Sequence, residues 1–146
     1  MFFFDGIAVF PYRTAPFTEV KTMENFDDFE FAEPYKGEAI DEVGGVLLPE
    51  DYLSFMREHN GGEGDIGGNY LVLFPLEELS AVYDNYDVGS VLPGCVIIGG
   101  DGGGELYGVD ESGRYFNVPS IIDKTKITYL GDRFEDFIKN AVALWE

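Results

Sequence analysis

The sequence from Pro49 to Gly61 predicts a short amphipathic helix. Proline suits the first turn of a helix, the acidic residues directly after it favour the positive end of the helix dipole, and Gly61 offers a stop. At helical spacing, four side chains would share the buried face of this helix: Tyr52, Phe55, Met56 and His59. We therefore expect His59 to make core contacts and not to act in catalysis.

Five further apolar runs have the composition of β-strands, and turn residues separate them. The runs cover residues 70–74, 95–98, 105–110, 114–118 and 127–130, with a glycine-rich loop before the first. After Pro75, the spacing of Leu76, Leu79 and Tyr83 predicts a second short helix. Because the connections within residues 95–118 are short, we expect this block to form an antiparallel meander.

The clearest helix of the chain begins at Asp132, with Glu135 three residues on in the arrangement of a capping box. Residues 1–37 are the hardest part to interpret, and two alternatives stay open: an edge strand with a packed arm, or in part an extension. Since no repeat or linker divides the chain, we expect one α+β domain. The apolar stripe of the last helix consists of Phe134, Phe137, Ile138, Ala141, Val142 and Trp145.

Length and composition indicate a compact, strongly acidic domain. The chain has 146 residues, which is enough to bury a core without disulfides or a metal, and its 45% hydrophobic residues exceed what a disordered tail carries. Nine Lys and Arg residues against 28 Asp and Glu residues give a formal net charge of −19. Such a field repels phosphate groups, so binding to nucleic acid or to an anionic membrane surface is disfavoured.

The cysteine content and the apolar runs bear on where the protein works. Cys95 is the single cysteine, so no internal disulfide calls for an oxidising compartment. The apolar start of the chain lacks a basic region and is interrupted by Asp5, unlike a signal peptide. No apolar run approaches the roughly 20 residues of a membrane-spanning helix. We therefore expect a cytoplasmic protein.

Known catalytic and metal-binding patterns do not match the sequence. A single histidine excludes the HExxH zinc motif, and both His59 and Cys95 fall on apolar faces. The glycine-rich stretch Gly99–Gly108 fits neither phosphate-binding template, so we expect a tight left-handed connection there. Carboxylate pairs such as Glu63 with Asp65 arise from composition alone in so acidic a chain. We therefore expect no catalytic residue, no cofactor and no metal site.

Acidity is concentrated in residues 37–87, which carry one basic residue against twelve acidic ones. Solubility alone is one explanation. The other is a basic protein partner, because an acidic surface speeds association with an oppositely charged protein, and a nuclease has a basic surface that holds nucleic acid. The candidate partner-binding residues are Glu50, Asp51, Glu58, Glu63, Asp65, Glu77 and Glu78.

Four segments in combination resemble the SUKH superfamily, in its Smi/Knr cell-wall-regulator-like branch: LPEDYLSFMREHNGG, LVLFPLEEL, VIIGGDGGGELYGVDESGRYFNV and RFEDFIKNAV. The similarity covers residues 38–146 and leaves residues 1–37 outside as an N-terminal segment. It implies an α+β fold with helices around a largely antiparallel sheet. It also implies a leading helix in residues 38–49, where Gly44 and Gly45 would shorten or displace it.

For function, the resemblance implies a non-enzymatic protein-binding module. Many bacterial members of this superfamily are immunity proteins, which bind and neutralise a polymorphic or contact-dependent toxin, often a nuclease, encoded beside them. Other members are fungal regulators of cell-wall assembly, so a regulatory or scaffold protein without a toxin partner is the alternative. A toxin gene next to this one favours the first function, whereas an isolated gene favours the second. The oligomeric state stays open.

Overall fold

The structure, a computed structural model, describes residues 28–66 and 69–143, so residues 1–27 and the side chains of Val142 and Trp145 in the predicted helical stripe lie outside the described part. Within it, the helices are α1 (Glu50–Glu58), α2 (Leu79–Asn85), α3 (Val88–Val91) and α4 (Phe134–Ala143), with 3₁₀ turns over Leu76–Glu78 and Lys124–Lys126. The strands are β1 (Phe29–Phe31), β2 (Glu42–Val43), β3 (Val46–Leu47), β4 (Gly62–Ile66), β5 (Asn69–Leu73), β6 (Cys95–Gly100), β7 (Glu105–Asp110), β8 (Tyr115–Pro119) and β9 (Thr128–Gly131).

Seven of these strands form one antiparallel sheet in the order β1-β4-β5-β6-β7-β8-β9. From β4 onward each strand lies beside its predecessor in the chain, which is the meander expected for residues 95–118. The first strand, β1, pairs with β4 at one edge of the sheet. Helices pack on the sheet, and α4 is the amphipathic helix at its C-terminal end. The α+β fold expected from the sequence is therefore confirmed.

The first face of the sheet is covered by α1 and α4. Alternate strand residues such as Val96 and Tyr115 point to this side and meet the aromatic rings of the helices. The rings of Tyr115 and Phe137 stack with centroids 5.3 Å apart, and those of Phe55 and Phe134 lie 5.0 Å apart. These side chains are fully or almost fully buried, so burial of aromatic surface holds both helices on the sheet.

The second face of the sheet is covered over β6, β7 and β8. Strand residues that alternate with those of the first face point to this side. They pack against α3, against Leu92 directly after it and against the segment of residues 120–127. This second cluster is smaller than the first. Its buried members are Val88, Leu92, Cys95, Ile97, Leu106, Phe116 and Val118.

Two expectations about glycine-containing segments are wrong. Residues 38–49 hold no leading helix in the structure, because Gly44 and Gly45 take left-handed φ angles of 57° and 83° and turn the chain between β2 and β3. The glycine-rich loop expected before Tyr70 is instead β4, which pairs with β1 on one side and β5 on the other. The remaining predicted helices and strands are confirmed with ends shifted by three residues or fewer.

The glycine-rich stretch is a strand end followed by a tight turn. Gly99 belongs to β6, at a bulge, and a Cβ atom placed on it would overlap the carbonyl oxygen of Val72 in β5. In the turn, Gly102 has a left-handed φ of 78°, and Asp101 Oδ1 accepts the backbone N–H groups of Gly103 at 2.8 Å and Glu105 at 3.1 Å. The left-handed connection expected from the sequence is thus confirmed.

We predict different effects of alanine at two glycines of this stretch, one in the strand and one in the turn. Gly99→Ala should lower the free energy of unfolding by about 1–3 kcal/mol, because its methyl group forces β5 and β6 apart. Gly104→Ala should change the free energy of unfolding by less than about 0.5 kcal/mol, since no atom lies within 4 Å of its Cβ position. Urea denaturation measures both values. Equal destabilisation would contradict the close approach at Gly99.

Candidate functional site

One end of the second face is exposed and acidic. In the sheet register Glu30 lies opposite Glu63, Glu63 opposite Val72, and Asp65 opposite Tyr70. Residues directly opposite on antiparallel strands point to the same side, so β1, β4 and β5 present these side chains together. We call this surface the acidic sheet face; it consists of Glu30, Glu63, Asp65, Tyr70 and Val72.

The carboxylates of the acidic sheet face are exposed and have no basic neighbour among the residues that the structure describes. Neither Glu30, Glu63 nor Asp65 forms an ion pair with a basic residue in the described part of the chain. The hydroxyl of Tyr70 donates a hydrogen bond of 2.6 Å to Glu63 Oε2. That bond raises the pKa of Tyr70 above its usual value, and the negative charges of all three carboxylates add to the effect. The surface is therefore locally very negative.

A groove runs along one end of this face. It has a volume of about 550 Å³ and lies between the strands and the 3₁₀ turn that follows β5. Three carboxylates line it, from Glu30, Glu63 and Glu78, together with the apolar side chains of Val72 and Phe74. A negative rim over an apolar floor fits a lysine or arginine side chain, whose alkyl stem is apolar and whose head is charged. We call this feature the acidic groove.

The carboxylate of Glu77, beside the groove, accepts a hydrogen bond from within the fold. The side chain of Asn60, at the end of α1, donates from Nδ2 to Glu77 Oε1 at 2.7 Å. The Asn60 Oδ1 atom accepts the backbone N–H of Leu76 at 2.9 Å. Asn60 is buried, and these two bonds attach the end of α1 to the turn that carries Glu77 and Glu78. The role of Glu77 in partner binding stays a prediction.

Asp51 lies at the other end of α1 and joins three elements. Its Oδ2 atom accepts the backbone N–H of Phe134, the first residue of α4, at 2.7 Å. Its Oδ1 atom accepts the Tyr115 hydroxyl at 2.9 Å and the N–H of Tyr52 at 2.7 Å. A carboxylate in this position satisfies an N–H group that the first turn of α4 leaves unpaired, so α4 is capped from α1. The part of Asp51 in partner binding stays a prediction.

The structure separates the seven predicted residues into groups. Glu63, Asp65 and Glu78 lie on or beside the acidic sheet face, and Glu77 is next to Glu78. Glu50 lies on α1, which covers the first face, and it pairs with Arg57 at 2.8 Å. Glu58 is exposed at the end of the same helix. Because α1 has nine residues, its two ends stand about 13 Å apart. The seven side chains therefore do not all lie on the acidic sheet face.

Three residues of the acidic sheet face are absent from the predicted set: Glu30, Tyr70 and Val72. Glu30 falls in the segment of residues 1–37, which was set apart from the domain. The alternation in Phe29, Glu30 and Phe31 is a weak strand signal that could have identified it. Tyr70 was assigned to a strand, but only the register shows that its outward side meets Glu63 and Asp65.

The groups with intrinsic reactivity are placed in the core. Burial raises the pKa of the Cys95 thiol to about 11, with a smaller contribution from the charge of Asp110. His59 is half-buried, and its ring lies 4.8 Å from that of Phe31 and 6.0 Å from that of Phe55. In the described part of the chain, no group of three or more His, Cys, Asp or Glu residues could hold a metal ion. What the exposed surface offers is charge and shape for a partner.

Comparison with known proteins identifies the family. The sequence profile of the SMI1 / KNR4 family (SUKH-1) matches residues 38–140, about two thirds of the chain. The chain therefore belongs to this family, as the resemblance of the four segments implied. Among curated proteins, no sequence matches it. None of the described helices is long and apolar enough to cross a membrane.

We predict that Asp51 stabilises the fold. Asp51→Ala should lower the free energy of unfolding by about 2–4 kcal/mol, because it removes a helix cap and leaves the Tyr115 hydroxyl without its acceptor. Its neighbour Glu50 serves as the control. Glu50→Ala should cost less than about 0.5 kcal/mol, since the exposed pair with Arg57 contributes little. Chemical denaturation of both variants measures the difference, and equal losses would contradict this role.

Alkaline pH should unfold the protein through two buried tyrosines. Burial raises the pKa values of Tyr52 and Tyr115 well above 10, their unfolded value. Above pH 10 the unfolded chain loses these protons while the folded chain keeps them. The free energy of unfolding should therefore fall by about 1.4 kcal/mol per pH unit for each tyrosine.

Tyr52→Phe tests this linkage. The Tyr52 hydroxyl is buried and has no hydrogen-bond partner in the described structure, so the variant should be at least as stable as the parent at pH 7. Its loss of stability above pH 10 should be shallower by about 1.4 kcal/mol per pH unit. Denaturation curves between pH 7 and pH 11 measure both quantities. An unchanged slope would show that Tyr52 ionises equally in both states.

Proposed function

We propose that this chain is an immunity protein that works in the cytoplasm, a non-enzymatic protein that binds and neutralises a toxin with a basic surface, such as a nuclease. The observation that carries the proposal is the position of Glu30 directly opposite Glu63, next to Asp65, without a basic neighbour among the described residues. Like charges directly opposite each other destabilise a sheet. A basic partner removes that repulsion when it binds, whereas solubility does not require the acids to be adjacent.

The apolar part of the surface supports a protein partner. Tyr70 is 41% exposed beside Glu63 and Asp65, and Val72, two residues further along the same strand, is half-buried. Protein interfaces commonly place an aromatic or aliphatic contact at the centre and polar groups at the rim. In this proposal Tyr70 and Val72 pack against the toxin, and Glu30, Glu63, Asp65 and Glu78 bind its lysine and arginine side chains.

The other predicted acids have different roles in the proposal. Glu77 fixes the turn beside the acidic groove through its hydrogen bond with Asn60, and Asp51 holds α1 and α4 together on the opposite face of the sheet. Glu50 and Glu58, on the helix of the opposite face, add to the long-range field. With a net charge of −19, that field steers a basic toxin from a distance, and the acidic sheet face fixes where it docks.

The proposal is tested with the product of the adjacent gene. Its C-terminal domain, co-expressed with this chain, should be captured in a pull-down, and its toxicity should be relieved. Capture together with rescue supports an immunity function. A neighbour that is not captured and whose effect on growth is not relieved would contradict the function for that pair, and a regulatory or scaffold role would then be favoured.

We predict that the acidic sheet face controls the association rate. Neutralising Glu30, Glu63 and Asp65 together, as E30Q, E63Q and D65N, should slow association with the toxin domain by about tenfold or more at low salt. It should also flatten the dependence of the rate on salt, because fewer charges steer the encounter. Stopped-flow measurements at several ionic strengths give both results.

A matched triple variant controls for the change in net charge. E50Q, E58Q and E111Q also remove three negative charges, but these side chains lie on α1 and in the turn after β7. This variant should change the association rate by less than about threefold. If both triple variants slow association equally, the overall field acts and the acidic sheet face is not the docking surface. Circular dichroism checks that each variant is folded.

A further inference from the structure

A second groove lies toward the other end of the second face, where residues 120–127 connect β8 to β9. Its volume is about 660 Å³. Apolar side chains of α3 and this connection form its walls, and two lysines lie on its rim. We call it the Ile121 groove; it is lined by Ser90, Val91, Pro119, Ile121, Ile122, Asp123, Lys124 and Lys126.

Ile121 is held outward by the segment that carries it. Its side chain is 89% exposed, more than any other large apolar side chain in the described part of the chain. Ile122 and Ile127, which follow it in the chain, pack against the second cluster. Asp123 Oδ1 accepts the Thr125 N–H at 3.0 Å and its hydroxyl at 2.7 Å, which closes the turn between them. Ile121 thus stands outside the second cluster, directly before a segment that is anchored at both of its ends.

The two lysines of the groove form no ion pair with any residue that the structure describes. Arg57, Arg114, Arg133 and Lys139 each pair with a carboxylate at 2.8–3.3 Å. No carboxylate of the described residues lies within 4 Å of the ammonium groups of Lys124 and Lys126 in this way. The groove therefore carries two lysines against one carboxylate, that of Asp123, which already accepts two hydrogen bonds from Thr125. In a chain with 28 acidic residues, this leaves a small excess of positive charge beside the most exposed apolar side chain.

We propose that the Ile121 groove binds a short acidic segment of a protein partner, with an aliphatic or aromatic side chain packed on Ile121 and carboxylates on Lys124 and Lys126. Charge complementarity selects this occupant, because the patch is positive and its centre is apolar. A second copy of the chain fits less well, since two molecules that each carry −19 repel each other. This binding does not depend on the proposed immunity function.

The test uses a defined probe and the whole chain. The peptide acetyl-Glu-Leu-Asp-Leu-Glu-amide is titrated into the isotopically labelled protein and followed by NMR. It should shift the Ile121 methyl signals and the Lys124 and Lys126 amide signals saturably, with a Kd between about 10 μM and 1 mM. Two control peptides, one with lysine in place of the acids and one with serine in place of the leucines, should bind with a Kd at least about tenfold higher.

Charge reversal at the groove identifies the contacts. The double variant K124E/K126E should weaken binding of the acidic peptide by at least about tenfold, and Ile121→Ser by about threefold or more. Lys36→Glu is the control, because it reverses an exposed lysine that lines a different groove. It should leave the Kd unchanged within about twofold.

Three results would overturn the proposal. The first is the absence of saturable shifts up to ~5 mM peptide, which corresponds to binding too weak for a docking site. The second is equal binding of the acidic and basic peptides, or equal binding by the parent and K124E/K126E. The third is a shift of the Ile121 signals with protein concentration alone, which would assign the groove to self-association of the chain.

Discussion

A sheet has two faces, and the helices among the described residues cover one face of this sheet fully and the other in part. Burial of aromatic side chains under α1 and α4 closes the first face. On the second face, α3 and residues 120–127 cover β6 to β8. Strands β1, β4 and β5 must therefore carry polar side chains on their outer side. The acidic sheet face is the consequence of this constraint, and its position in the fold makes it accessible to a partner.

The acidic residues divide into those that hold the fold and those that do not. Asp51, Glu77, Asp101 and Asp123 each accept hydrogen bonds from nearby backbone or side-chain groups, and they fix a helix end or a turn. Glu30 and Glu63 instead face each other across β1 and β4 in a repulsive pair. The acidic residues behind the net charge of −19 therefore include some that stabilise the fold and others that only face the solvent. The solvent-facing acids are the ones available for binding a partner.

Periodicity was enough to predict α1, α4 and the strands of the meander, because each buries a continuous apolar set that the sequence shows locally. It failed for β4, since glycine and acidic residues disfavour strands and only pairing with β1 and β5 makes this segment extended. The local density of acidic residues was enough to select Glu63 and Asp65, which lie on the acidic sheet face, and Glu78, which lines the acidic groove. Glu30 enters the surface through strand register, and Asp51 caps a helix residue 83 positions away, neither of which a local pattern reveals.

Carboxyl footprinting of the chain, free and bound to its partner, tests the account most directly. Carbodiimide labelling followed by mass spectrometry reports the accessibility of each Asp and Glu side chain. We predict that the partner protects Glu30, Glu63, Asp65 and Glu78 and leaves the labelling of Glu50 and Glu111 unchanged. Protection of the acids on α1, with the acidic sheet face still labelled, would contradict the assignment of the binding surface.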